Sequence, residues 1–188
     1  MVTESFGLPF EIGAASAWLV WILPFAAALI IPGVGKLSKH ATGYVAVAFA
    51  LMSALSAVSL LPMALEAHEI HDQIMWIDAL GLKAGVLADP LSIIMANVVG
   101  WISFLIMIYS TGYMKGDKDI TRFWFWMLFF IGSMQLIVLS DNLLQVFFGW
   151  EGVGLASYAL ISFWYRDKKK DHVGVCLLYT SPSPRDRS

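Results

Sequence analysis

The sequence predicts an all-α integral membrane protein, a polytopic bundle of five transmembrane helices with an external hairpin between spans two and three. Hydrophobic residues make up 59% of the chain, charged residues only 14%, and the mean hydropathy is +0.71, which is far more apolar than an average soluble domain. Five apolar runs approach or reach the roughly 20 residues that a helix needs to cross a bilayer. These runs are residues 12–31, 44–65, 91–109, 123–139 and 143–165.

Charged residues are distributed unevenly between the loops, and this asymmetry predicts the orientation of the chain. Lysine and arginine follow spans one, three and five, whereas the opposite loops hold Lys83 among several acidic residues. The positive-inside rule then places the N-terminus outside and the Lys-rich loops in the cytoplasm, in a multi-pass protein of the cell inner (plasma) membrane. The basic residues concerned are Lys36, Lys39, Lys115, Lys118, Arg122, Arg166, Lys168, Lys169 and Lys170.

The segment between spans two and three, residues 66–88, is too polar to cross a membrane. It contains a roughly alternating stretch, Gln73 to Ile77, then Gly81, then a short apolar piece around Val86. This order predicts a β-hairpin lying on the outer surface.

No metal, cofactor or nucleic-acid site is expected in this chain. His68, His71 and Asp72 are close in sequence, but without a second ligand cluster a solvated acidic surface is the favoured interpretation. The single cysteine, Cys176, excludes an intramolecular disulfide and a cysteine-based metal cage. The chain also has no glycine-rich phosphate loop and no nucleic-acid signature.

Polar residues at the helix boundaries predict caps. Asp89 followed by Pro90 is typical of a helix start, because Asp accepts from free N–H groups and Pro has no N–H to satisfy. Residues 140–142, Ser-Asp-Asn, leave room only for a tight external turn between antiparallel neighbours, and a capping role for Asp141 is favoured over a role in ion uptake.

Three polar residues lie well inside the spans. Asn97 and Gln135 are expected to donate interhelical hydrogen bonds. Glu151 is the only ionisable group besides tyrosine hydroxyls between Phe147 and Tyr165, and a carboxylate within a span costs about 2.5 to 3.5 kcal/mol on insertion scales. Glu151 is therefore the candidate functional residue.

The neighbours of Glu151 on a helix suggest how it could work. Gly154 and Tyr158 follow it at i+3 and i+7 and share its face, so Tyr158 could hydrogen-bond water near the carboxylate. Gly152 and Gly154 offer small surfaces that another helix or a file of water can approach. These three residues are the candidate supporting residues.

The sequence lacks a cation for Glu151. No Lys, Arg or His lies inside the five apolar runs. Either Glu151 rests protonated, or its partner comes from sequence outside this chain. A protonated Glu151 that only hydrogen-bonds a neighbouring helix is the structural alternative.

The last residues, 176–188, read CLLYTSPSPRDRS and differ abruptly from the preceding spans. Residues 176–186 match an in-frame translation of a transposase adapter used in sequencing libraries, and a natural hydrophilic C-terminus is the alternative. We therefore expect residues 1–175 to be the N-terminal part of a longer membrane subunit, and residues 176–188 not to be natural sequence.

Several motifs resemble one family. SDNLLQVFFGWEGVGLASYALISFWY, preceded by DPLSIIM, YSTGYMKGD and RFWFWMLFFIGSM, is similar to the N-terminal part of the subunit L (chain 5) family of NADH-quinone oxidoreductase, respiratory complex I. The resemblance is strong over residues 79–172. The form WEGVGLxSYxLIxFWY is specific, since the sister antiporter-like subunits M and N carry WEG or WE in other contexts.

The resemblance implies a proton-translocating membrane subunit of a redox-driven complex. In the family, the glutamate matching Glu151 translocates protons and is paired with a lysine on a later span. The resemblance implies that NADH, FMN, iron–sulfur clusters and quinone are bound only by partner subunits, and that subunits of the M and N types and the lipid bilayer are the neighbours. Alternatives are a subunit of a multi-subunit Na⁺/H⁺ antiporter, a related F420H2 dehydrogenase or membrane hydrogenase, or a non-transporting scaffold bundle.

Overall fold

The computed structural model describes residues 10–66, 69–77 and 82–164. Within them, five helical segments are long and apolar enough to cross a membrane, which confirms the predicted helix bundle. The elements are α1 Phe10–Leu37, α2 Lys39–Val58, α3 Leu61–Leu65, β1 Ile70–Ile77, β2 Leu82–Ala88, α4 Pro90–Tyr113, α5 Ile120–Leu139 and α6 Leu143–Ile161. Segment 176–188, the basic run 166–170, His68 and Gly81 lie outside the described residues.

The boundaries of the first two membrane helices differ from the predicted spans, and both differences involve proline-containing segments. α1 continues through Pro24 and Pro32 to Leu37, beyond the predicted end at residue 31. Proline is tolerated in membrane helices because neighbouring groups can satisfy the freed backbone. The second span is divided instead: α2 ends at Val58, and α3 follows with Pro62 in its first turn, where no N–H is needed.

The helices pack around two apolar clusters, one at each end of the bundle. α1 packs on α2 and α5, α4 packs on α2 and α5, and α6 packs mainly on α5. Alanines recur in both clusters, and small side chains allow helix backbones to approach closely in membranes. The cluster near the hairpin contains Ala17, Val20, Ala57, Leu60, Ile70, Val86, Ala88, Ile93, Ala96 and Leu139. The opposite cluster contains Ala27, Ala28, Ile31, Ala46, Ala50, Met107, Trp124, Leu128 and Ile131.

The predicted hairpin is confirmed and covers one end of the bundle. β1 and β2 pair antiparallel, with Ile70 opposite Ala88 and Asp72 opposite Val86. Ile70 and Val86 are buried in the apolar cluster at this end. α1, α4 and α6 therefore begin at the hairpin end of the bundle, and α2 and α5 begin at the other end.

Candidate functional site

Glu151 lies near the middle of α6. Asn142 caps the helix, with its side-chain oxygen accepting from the Gln145 N–H at 2.9 Å. α6 has 19 residues from Leu143 to Ile161, so Glu151 is about 12 Å along the axis from the first helical residue at 1.5 Å per residue. The carboxylate therefore lies at mid-membrane depth if α6 crosses the bilayer.

The face of α6 that contacts α5 is built from glycines. A Cβ at Gly149 would lie 2.7 Å from Ile137 Cγ1 and 3.0 Å from the carbonyl oxygen of Ser133. A Cβ at Gly152 would collide with Ser133 Oγ, which itself donates to the Phe129 carbonyl at 2.8 Å. Gly149 and Gly152 are accordingly buried. Gly152 thus belongs to the α5–α6 contact and not to the face that presents Glu151.

Glu151 lies on the opposite, open face of α6. Glu151 is exposed, a Cβ at Gly154 would meet no atom within 4 Å, and Tyr158 is 38% exposed. Trp150 and Leu155 flank them and are also exposed. The structure brings Glu151, Gly154 and Tyr158 to one surface that no described helix covers.

Arg122, the basic residue of α5, does not neutralise Glu151. Its guanidinium donates to the Phe163 carbonyl oxygen and lies 4.9 Å from the centre of the Phe163 ring. Phe163 follows Glu151 by twelve residues, a distance of roughly 18 Å along a helix. Arg122 is therefore at the far end of α6.

Asn97 and Gln135 are buried and donate between helices, as predicted. The Asn97 amide donates to the Ala57 carbonyl on α2 at 2.8 Å, and the Gln135 amide donates to the Ala96 carbonyl on α4 at 3.0 Å. Within the described residues, the side-chain oxygens of both amides are buried without a hydrogen-bond partner. These bonds tie α2, α4 and α5 together.

The predicted capping role of Asp141 is wrong, because the neighbouring Asn142 caps α6. Asp141 instead accepts from the Gln73 amide at 2.7 Å and from the Asn142 amide at 2.6 Å, and it lies 3.4 Å from His71 Nε2. The position one residue before the cap directs its carboxylate toward β1. Asp141 therefore connects the α5–α6 turn to the hairpin.

Two further contacts fasten the hairpin, and sequence reasoning did not identify them. The buried Gln145 side chain accepts from the Gly85 N–H at 2.9 Å, and Trp18 Nε1 donates to Asp72 at 2.8 Å. The sequence signal that could have indicated the first contact is Gln145 itself, a polar residue in the first turn of an apolar helix. In the described ranges no three His, Cys, Asp or Glu residues form a group that could hold a metal.

Two family models match the chain. Residues 75–124 match the N-terminus of chain 5 of NADH-ubiquinone oxidoreductase (complex I), and residues 140–182 match the transmembrane family of NADH:quinone oxidoreductase and Mrp antiporters. The second match includes residues 176–182 of the tail, whose non-natural origin stays a prediction.

Curated relatives agree with these models. NADH-quinone oxidoreductase subunit L of Rickettsia bellii is 38% identical over 164 residues, covering 85% of this chain and 26% of that protein. The Mycobacterium tuberculosis protein of the same name is 40% identical over 163 residues, which cover 82% of this chain and 26% of that protein. The chain belongs to the family of antiporter-like membrane subunits. It spans about a quarter of the length of the curated relatives it matches.

The antiporter-like fold is also found in a solved structure. The Mrp complex from Dietzia sp. matches with a TM-score of 0.65 and 25% identity, over 77% of this chain and 16% of that one. The bundle of this chain is thus similar to part of a chain of an Mrp complex.

Proposed function

We propose that this chain forms the first five spans of a proton-translocating membrane subunit of a complex I-type NADH-quinone oxidoreductase, and that Glu151 is its proton-translocating carboxylate. One observation carries the proposal: Glu151 is the only acidic residue in the five candidate spans, and it lies at the middle of α6 on an open face. The names of the curated relatives support the redox-driven complex.

The open face of α6 supports an internal ion path. An ionised carboxylate in contact with lipid costs several kcal/mol, about 2.5 to 3.5 on insertion scales, so such groups face the interior of a bundle or water. Further protein covering this face would supply that interior. A cation that approaches Glu151 would favour its ionised form and a retreating cation would favour protonation, so movement of the partner would load and release a proton. The resemblance implies a lysine on a later span as that partner.

Three neighbours of Glu151 have separate supporting roles in this proposal. Gly152 holds α6 against Ser133 of α5 and so fixes the direction in which Glu151 points. Gly154 leaves an open surface beside the carboxylate, where a helix or a file of water can approach. The half-exposed Tyr158 hydroxyl can hydrogen-bond water two turns from Glu151.

The chemistry of electron transfer belongs to partner subunits in this proposal. The chain acts as a translocase subunit, while NADH, FMN, iron–sulfur clusters and quinone are bound by other subunits. Antiporter-like subunits of the M and N types are the proposed membrane neighbours. We place the chain in the inner (plasma) membrane with the hairpin end outside, since the Lys-rich loops gather at the opposite end.

A subunit of a multi-subunit Na⁺/H⁺ antiporter is the second candidate. The match to the Mrp complex favours it, and Glu151 would serve a similar ion exchange without electron transfer. Ion movement that depends on NADH oxidation would support the first candidate. Ion exchange driven by an ion gradient alone would support the antiporter.

Glu151→Gln in the complete subunit, assembled with its partners in proteoliposomes, tests the proposal. Glutamine keeps the size and hydrogen bonding of the side chain but cannot cycle a proton. We expect proton pumping per electron to fall sharply while assembly is largely retained. Glu66→Gln, which removes an exposed carboxylate at the end of α3, is the matched control and should pump normally. An unchanged proton-to-electron ratio in Glu151→Gln would remove this residue from the mechanism.

A further inference from the structure

A cleft of about 540 Å³ lies at the end of the bundle opposite the hairpin, between the start of α2 and the α4–α5 connection. Lys39, Lys115 and Lys118 line it together with one acidic residue, Asp117. The charged lining therefore has a net charge of 3 − 1 = +2. The cleft lies at the other end of α6 from its start and does not include Glu151, the residue of the proposed function.

Asp117 is engaged with protein groups and not with the lysines of the cleft. Its Oδ1 accepts from the Asp119 N–H at 2.8 Å, and its Oδ2 accepts from Trp164 Nε1 at 3.2 Å. Lys39 donates to the Lys118 carbonyl at 3.1 Å, which uses one of the three N–H donors of its ammonium group. The exposed Lys115 and Lys118 side chains add two further cations, so the cleft favours an anion.

A buried N–H in the cleft wall has no acceptor. Trp124 lines the cleft and is fully buried, and within the described residues its Nε1 has no hydrogen-bond partner. Gly43 lies beside it: a Cβ at that position would be 3.2 Å from Trp124 Cζ2 and 3.5 Å from Nε1. An unpaired buried N–H costs about 1–3 kcal/mol. Gly43 thus packs directly against the indole, where a side chain would crowd the ring.

Two helices begin at this cleft. Lys39 is the first residue of α2 and Ile120 the first of α5, and both line the cleft. Ser38, the N-cap of α2, makes no side-chain cap hydrogen bond. The free N–H groups and the positive end of the helix dipole both favour an anion at such a position.

The cleft lies where phosphate groups of a bilayer would be. Tyr44 in its wall is 79% exposed. The rings of Tyr109 and Tyr113, which lie three residues before and one residue after the cleft residue Gly112, stack 5.9 Å apart. Tyrosine is enriched at membrane–water interfaces. Exposed apolar side chains of α4, among them Leu105 and Ile108, continue from this level toward the membrane centre. The surface thus combines a cationic cleft with an adjoining apolar strip.

We propose that this cleft binds the phosphate group of an anionic phospholipid, whose acyl chains lie along the exposed face of α4. Lys115 and Lys118 attract the phosphate, and Trp124 Nε1 donates to one of its oxygens. Basic pockets between membrane helices bind anionic headgroups by the same chemistry. The apolar strip favours a lipid over a soluble phosphate, because a lipid covers both surfaces whereas a soluble phosphate covers the cleft alone.

Native mass spectrometry of the complete subunit in its complex tests the proposal with phosphatidylglycerol and phosphatidylcholine as probes. We expect preferential retention of phosphatidylglycerol. Lys115→Gln should lower its retention about fivefold, given about 1 kcal/mol per lysine near an anionic surface. Lys36→Gln is the matched control, because Lys36 is exposed at the same end of the bundle but does not line the cleft.

A second variant tests the indole separately from surface charge. Trp124→Phe keeps an aromatic ring in the core but removes the N–H donor, and we expect phosphatidylglycerol retention to fall about threefold, as for the loss of one hydrogen bond. Equal effects of Lys115→Gln and Lys36→Gln, or equal retention of both lipids, would overturn the proposal. Complete displacement by millimolar inorganic phosphate would show that the site takes soluble anions instead.

Discussion

The side-chain amide of Gln135 on α5 donates to the carbonyl oxygen of Ala96 on α4 at 3.0 Å, in a fully buried position. The adjacent residue of α4, Asn97, donates in turn to Ala57 of α2. Two neighbouring hydrogen bonds thus connect three helices. They involve backbone carbonyls, so they constrain helix positions directly.

We predict that Asn97→Ala lowers the stability of the assembled subunit without changing pump coupling. The variant loses an interhelical hydrogen bond, which contributes about 0.6 to 1.7 kcal/mol in membrane proteins, and leaves a small cavity. Thermal unfolding in detergent measures the loss, and proton-to-electron stoichiometry measures coupling. A normal unfolding temperature with impaired coupling would instead place Asn97 in the ion path.

The α5–α6 contact predicts different outcomes for two nearby glycines. Gly152→Ala should destabilise the subunit by about 1–3 kcal/mol, because the new Cβ overlaps Ser133 Oγ. Gly154→Ala should destabilise the subunit less than Gly152→Ala, since its Cβ meets no atom of the described helices and alanine favours helix formation.

Thermal unfolding of the two glycine variants gives the comparison. Adding Ser133→Ala to Gly152→Ala removes the colliding hydroxyl and should restore part of the stability. Equal stability of Gly152→Ala and Gly154→Ala would contradict the packing described for α6.

Docking of the hairpin depends on Gln145. Gln145→Ala leaves the buried Gly85 N–H without its acceptor, at a cost of about 1–3 kcal/mol. We expect faster hydrogen–deuterium exchange in β2, with exchange in α4 unchanged. Glu69→Gln, which alters an exposed residue next to β1, is the control and should exchange as the unmodified protein does.

Asp89 makes stability depend on pH. Hydrogen bonds from the Ser92 side chain and from the Ser92 N–H lower the pKa of Asp89 below its ordinary value of 3.8. A lowered folded-state pKa contributes stability above the unfolded pKa, and this contribution is lost as pH falls through the folded pKa.

Acid titration of unfolding tests this cap. The unmodified protein should lose stability as the pH falls below about 4, where an unfolded aspartate binds protons. In Asp89→Asn, which can still cap α4 but cannot titrate, this part of the acid dependence should be absent. The same acid slope in both proteins would show that Asp89 does not contribute to it.

Labelling with a membrane-impermeant maleimide tests the orientation. In a Cys176→Ser background, which removes the single cysteine of the chain, Lys83→Cys should react from the outside of intact cells. Lys115→Cys, at the opposite end of the bundle, should react only after the membrane is opened. The reverse pattern would invert the proposed topology.

Hydropathy predicted the five spans well, because backbone groups in lipid must be satisfied within each helix and long apolar runs have few alternatives. Helix ends were less predictable. α1 continues past Pro32, where the missing hydrogen bond is tolerated, whereas the second span breaks after Val58, four residues before Pro62, so a proline alone does not predict which helix ends. Asn97 and Gln135 were correctly expected to join helices, but their partners, backbone carbonyls of distant residues, could not be read from the sequence.

The sequence by itself determined that Glu151 is a solitary carboxylate in an apolar helix and that Gly154 and Tyr158 share its face, since both follow from composition and helical periodicity. Only the tertiary structure decided which face of α6 meets α5. It assigned Gly152 to that contact and left Glu151 uncovered, because the fit of Gly149 and Gly152 against Ser133 sets the rotation of the helix. It likewise turned Asp141 from an expected helix cap into a hairpin contact, since that role depends on a strand almost seventy residues earlier in the chain.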